Sequence, residues 1–189
     1  MGELPSWYPG NEVKPAPMPL LLVQGFLNTR DLEDATDRLD IPETAREWLT
    51  DAGLLDGSAD LSASDLARAR AVREALRALV EADEPGEDVG LKPLRELAET
   101  HRARLSLAQG GAISLENGRR GGLDDGLFEL LLIIYRAQQD GTWSRLKMCA
   151  NEECQWAFFD RSRNQQGSWC DMAVCGNRMK NRELRARRR

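Results

Sequence analysis

All four cysteines of the chain fall within 27 residues, ordered as Cys149-x4-Cys154 and Cys170-x4-Cys175 with fifteen residues between the pairs. Two pairs of equal internal spacing are what a tetrathiolate zinc site requires. Each interval lets the chain turn back so that two sulfurs reach one tetrahedral ion, and the segment between brings the pairs together. Two disulfides fit poorly, because the start Met1-Gly2-Glu3-Leu4-Pro5-Ser6 has no basic stretch followed by an apolar one. Four reduced core cysteines would leave the pairing and its polar, basic setting unexplained, and nothing resembles a Cys-x-x-Cys redox pair. With all four ligands supplied by protein, no coordination position stays open for an activated water. The expectation is one structural Zn²⁺ held by Cys149, Cys154, Cys170 and Cys175.

The neighbours of these cysteines are basic. If the chain after Cys175 is helical, Arg178, Arg182, Arg185 and Arg189 follow at steps of four, three and four and share one face, with Lys180 and Arg187 on the opposite side. Arg161 and Arg163 add two cations in the polar stretch Asp160-Arg161-Ser162-Arg163-Asn164. These side chains are the candidates for phosphate contacts, against the plainer alternative of a solvated basic tail. Trp156, Phe158, Phe159 and Trp169 are expected to build the core of the small module rather than to stack on bases. Four thiolates and one Zn²⁺ sum to about −2, which reduces the basic charge without cancelling it.

The elements that must position these groups are mostly helical. Five of the eight prolines lie in the first 19 residues, where neither a regular helix nor a central strand can run, so an extended arm is expected there. Trp7 and Tyr8 could dock it. Leu20 to Asn28 reads as a short buried helix, with a strand the alternative at that length, and Pro42 opens another helix that carries Ala45, Trp48 and Leu49 and stops at Gly53. Ser62 to Asp65 offers capping groups for a helix with Leu66, Ala69, Val72, Leu76, Leu79 and Val80 at helical spacing, ended by Glu84-Pro85-Gly86. Leu91, Leu94, Leu97 and Ala98 mark a further helix. The period then becomes two in Leu105-Ser106-Leu107 and Ile113-Ser114-Leu115, a short β-hairpin. A glycine-rich stretch from Gly118 to Gly126 reads as a loop without a phosphate-cradle context. Leu123 to Asp140 is apolar on nearly every face and should be the central helix, with Gly141-Thr142 as the boundary to the cysteine segment.

Charge divides along the same boundary. Residues 143–189 hold 11 Lys/Arg against 5 Asp/Glu, and residues 1–142 hold 15 against 26, so an acidic body carries a basic end. Such asymmetry suggests that the basic part meets a polyanion. No apolar stretch approaches the ~20 residues a bilayer requires, so no membrane association and a cytoplasmic location are expected. The lone histidine, His101, closes a helix without a partner motif. No Gly-x-Ser-x-Gly, His-Glu-x-x-His, Walker or dinucleotide fingerprint is present, which argues against an enzyme.

Cys175-Gly176-Asn177-Arg178, together with Asp160-Arg161-Ser162-Arg163-Asn164 and Trp169-Cys170, resembles the bacterial CGNR zinc-finger family. Leu20 to Asp140, with Phe26-Leu27-Asn28-Thr29 near its start and Trp48-Leu49 ahead of Gly53-Leu54-Leu55, resembles the ABATE domain that precedes that finger. The resemblance implies a stress-related transcription regulator that binds DNA through the finger. Its helical domain would sense a small-molecule effector, with Asn28, Thr29 and Arg30 as candidate contacts, or mediate homodimerisation. The expected fold is mainly α. Residues 1–19 form an arm, 20–142 a helical domain with a small β-hairpin, and 143–189 a small four-cysteine zinc-finger module of short β-hairpin plus helix. An RNA-binding finger and a protein-interaction module with a structural zinc are the alternatives.

Overall fold

The structure is a computed structural model, and it describes residues 4–8, 12–82, 90–118 and 121–187. The body runs α1 (Leu20–Leu27), β1 (Arg30–Asp31), β2 (Thr36–Asp37), α2 (Pro42–Asp51), α3 (Ala63–Glu81), α4 (Lys92–Thr100), β3 (Ala103–Leu107), β4 (Ile113–Asn117) and α5 (Leu123–Gln139). A single 3₁₀ turn at Trp143–Arg145 then leads into β5 (Leu146–Met148), β6 (Ala157–Phe159), a π turn at Met172–Gly176 and α6 (Asn177–Arg187). Among the described residues the architecture is mainly helical, with three two-stranded antiparallel ribbons. Among the described residues, no helix is long and apolar enough to cross a membrane.

Helix α5 is the centre of the core, as its apolar periphery predicts: Leu127, Leu130 and Ile133 are all buried. It begins at Leu123, so Gly126 belongs to the helix rather than to the preceding loop. The glycine is needed there because a Cβ would come within 1.8 Å of the Leu54 carbonyl oxygen. Helix α3 starts with a reciprocal capping box between Ser62 and Asp65 and turns Leu66, Ala69, Val72 and Leu76 inward. Its expected stop at Glu84-Pro85-Gly86 lies outside the described residues. The β3–β4 hairpin forms in the register Leu105↔Leu115.

The proline arm is not detached. Trp7 sets its ring edge-on to Trp48, whose indole N–H donates to the Trp7 carbonyl at 3.0 Å. Tyr8 is buried beside it. Further along, the Lys14 carbonyl accepts from the Phe159 N–H at 2.9 Å, so the arm runs alongside β6.

The C-terminal hairpin is equally well joined to the body. Side chains alternate across β6, so Ala157 and Phe159 enter the body's core with Leu146 while Phe158 points into the cluster around the cysteines. One three-residue strand therefore supplies two cores. Trp156 and Trp169 pack against the smaller one, in the structural role expected of them.

Candidate metal centre and basic face

The four cysteines converge. They are all free, and their sulfurs lie within 4.8 Å of one another. Cys154 Sγ is 3.6 Å from Cys170 Sγ, which is 3.7 Å from Cys175 Sγ. A Zn–S bond of about 2.3 Å gives a regular tetrahedron an S···S edge of about 3.8 Å, which these two separations match.

Each cysteine pair sits on a tight turn. In the first, the Asn151 carbonyl accepts from the N–H groups of Cys154 (2.8 Å) and Gln155 (3.0 Å), and Cys149 N–H donates to the Trp156 carbonyl at 2.9 Å. Gln155 is left-handed there, with φ of 49°. In the second, the Asp171 carboxylate caps the π turn by accepting from Ala173 N–H at 2.6 Å. A Cβ on Gly176 would lie 2.5 Å from Sδ of the half-exposed Met172, so a larger residue there would have to displace that side chain. The Ala150 N–H joins the two turns by donating to the Ser168 carbonyl at 2.9 Å. Asn151 Nδ2 lies 3.7 Å from Cys175 Sγ, a contact of the kind that supports a coordinating thiolate.

Proton sharing among the sulfurs shows what the cluster lacks electrostatically. S–H groups of Cys154 and then Cys170 donate to Cys149 and lower its pKa to about 2. In return Cys154 is pushed up to about 12, chiefly by its bond to Cys149, and Cys170 rises for the same reason. One thiolate thus accepts hydrogen bonds from neighbours that keep their protons. A dication removes that conflict and lets all four sulfurs ionise, which is the chemistry of a metal–thiolate centre.

The body reaches this module through buried polar groups. Asn28, at the end of α1, donates from Nδ2 to the Ala157 carbonyl (2.9 Å) and accepts from the Ala157 N–H at Oδ1 (2.8 Å). Gln24, one turn earlier, donates to the same carbonyl at 3.1 Å and accepts from Ala16 N–H at 2.6 Å. Arg77 of α3 bridges the carbonyls of Leu27 and Gln155. Sequence reasoning missed Gln24 and Arg77. Two polar residues at i and i+4 on an otherwise apolar helix were the available signal for Gln24. An arginine in a solvated helical pattern offers none.

The three residues considered for an effector are placed differently. Asn28 is engaged with Ala157. Thr29 is buried, donating to the Phe26 carbonyl and accepting from Arg73. Arg30 lies outward, 3.7 Å from Glu74. Asn28 and Thr29 border a cleft of 380 Å³ between body and finger, whose lining carboxylates Glu12, Asp31, Glu33, Asp34 and Asp171 face one cation, Arg38.

The basic candidates are mostly accessible but not all free. Arg163, Lys180 and Arg185 are exposed. Arg178 pairs with Glu33 of the body, and Arg182 with Glu153 of the first turn, each at 2.5 Å. Arg161 donates to the Pro15 carbonyl at 2.7 Å, holding the arm. Arg187 closes α6, and Arg189 lies outside the described residues.

A helical body welded to a C-terminal module with a four-cysteine metal-binding cluster defines a two-part protein of the zinc-finger class. Residues 145–188 match the CGNR zinc finger, and residues 22–139 match the ABATE domain, described as a putative stress-induced transcription regulator. The chain therefore belongs to the ABATE family and ends in a CGNR zinc finger. No curated protein matches it.

Proposed function

We propose that the protein is a zinc-dependent transcription regulator that binds duplex DNA through its C-terminal module. Cys149, Cys154, Cys170 and Cys175 would hold one zinc ion, whose role is to fix the two turns from which the basic segments extend. The observation that carries the reading is α6, an exposed helix rooted at Cys175 and bearing Arg178, Lys180, Arg182, Arg185 and Arg187. The pairs that Arg178 and Arg182 make with Glu33 and Glu153 involve half-exposed side chains. Solvent screens such pairs and leaves them little net stability, so phosphate oxygens can replace those carboxylates at small cost. The acidic cleft between body and finger repels a polyanion and leaves α6 and the loop bearing Arg163 as the approach.

The test is direct. Purified full-length protein should contain one zinc per chain, and its affinity for a random duplex pool should fall steeply between about 50 and 200 mM salt, as counterion release requires. Protein that holds zinc yet shows no salt-sensitive binding to duplex DNA would refute the proposal. Stronger binding to single-stranded RNA in a parallel titration would reassign the partner.

A further inference from the structure

Arg77 is a buried charged side chain that, among the described residues, hydrogen-bonds no carboxylate. It leaves α3 one turn after Arg73 and is only 7% exposed. Arg73 is neutralised by two short bonds to Asp37, at 2.7 and 2.6 Å. Arg77 has no such partner. Its Nε is buried without a hydrogen bond, and the nearest carboxylate oxygen, on Glu74, is 3.7 Å away. Burying a guanidinium on these terms is unfavourable unless the planar fork does something an apolar side chain cannot.

Its two remaining donors go to backbone. Nη2 donates to the Leu27 carbonyl at 2.7 Å, where α1 ends and the helix dipole favours a cation. Nη1 donates to the Gln155 carbonyl at 2.9 Å. Gln155 follows Cys154 directly and is left-handed without being glycine, a conformation that survives only where its surroundings hold it. That peptide closes the turn on which Cys154 presents its sulfur.

We propose that Arg77 is a positioning residue for the metal centre, fixing the left-handed Gln155 peptide from the body so that Cys154 is aimed at the ion. The net charge of about −2 on four thiolates and a divalent ion favours a cation bonded to this turn. Metal and body would then support each other, and the finger would depend for its affinity on a side chain of α3, outside the cysteine segment. The inference rests on reading the four cysteines as a metal site.

The experiment uses the full chain as wild type, Arg77→Met, Arg77→Lys and the double variant Arg77→Met/Gln155→Gly. Zinc affinity is measured by competition with a chromophoric chelator, ligand geometry from the visible bands of the Co²⁺-substituted protein, and stability by thermal melts with and without metal. Arg77→Met should weaken zinc binding about tenfold or more and alter the Co²⁺ spectrum, as loss of an outer-shell support does. Arg77→Lys, which keeps the charge and one donor, should fall between, and it gives the answer if Arg77→Met does not fold. Adding Gln155→Gly should restore most of the affinity, because glycine adopts the left-handed turn unaided. Unchanged zinc affinity and Co²⁺ spectrum in Arg77→Met, with equal loss of stability in metal-free and loaded protein, would overturn the inference while leaving the metal reading intact. A wild-type chain that takes up neither ion would overturn both.

Discussion

At the scale of single residues, Asn28 replaces a missing strand. Its side-chain amide presents one donor and one acceptor to Ala157, matching what a neighbouring backbone would offer to the edge of β6. Truncating it leaves a buried N–H without a partner and a carbonyl with only Gln24, so Asn28→Ala should lower stability by about 2 kcal/mol in urea denaturation. An unchanged midpoint would show that water replaces the amide. The identity of this residue was legible, since Phe26-Leu27-Asn28-Thr29 carries part of the family resemblance, but its task was not. The sequence places Asn28 at a helix end, and only the tertiary fold brings residue 157 to meet it. Arg73 and Arg77 were still harder to read, because helical periodicity assigns a charged position to solvent unless a partner is known. His101 illustrates the same limit: it closes α4, at 3.2 Å from the Leu97 carbonyl, but the stacking of its ring on Phe128 could not be read from the sequence.

At the scale of elements, the segment between the cysteine pairs is organised by one carboxylate. Asp160 is buried, and burial would raise its pKa, but Ser162 bonding, the Gly167 N–H at 2.7 Å and Lys147 at 3.3 Å outweigh that and hold it below the usual carboxylate range. Because the folded value is depressed, its stabilisation is complete above the ordinary Asp pKa of about 3.9 and is lost as pH falls through the folded value. The gap in unfolding free energy between wild type and Asp160→Asn should therefore be constant from about pH 7 to 5 and shrink as the medium is taken toward about pH 2. A gap independent of pH would mean that folding does not shift the ionisation of Asp160. Element type was legible for the longer elements: alternation gave β3 and β4, and an apolar periphery gave α5, whereas the two-residue strands β1 and β2 were missed. Which side of an element is covered was less so. The alternating residues Leu105, Leu107 and Ile113 are about 70% exposed, because alternation reports a pleat and not the neighbour that covers it.

At the scale of the whole molecule, a division in charge is not a division in packing. The acidic body and basic end differ in charge, yet they share a core: Leu146, Ala157 and Phe159 of the C-terminal hairpin are buried among body side chains. A boundary at residue 142 is natural from Gly141-Thr142, and the packing crosses it without a gap, since strands of three residues cannot bury both faces within so small a module. The consequence is thermodynamic. If the cysteine turns are held by metal, removing it frees the segments that flank β5 and β6, and the body loses its contacts with Leu146 and Phe159 together with the bonds from Gln24 and Asn28. Chelation should therefore lower the melting temperature of the entire chain in a single transition, seen alike by far-ultraviolet circular dichroism, dominated by the body's helices, and by tryptophan fluorescence, to which Trp156 and Trp169 beside the cysteines contribute. Two separated transitions, with the helical one unmoved by chelator, would show instead that the body folds without its finger.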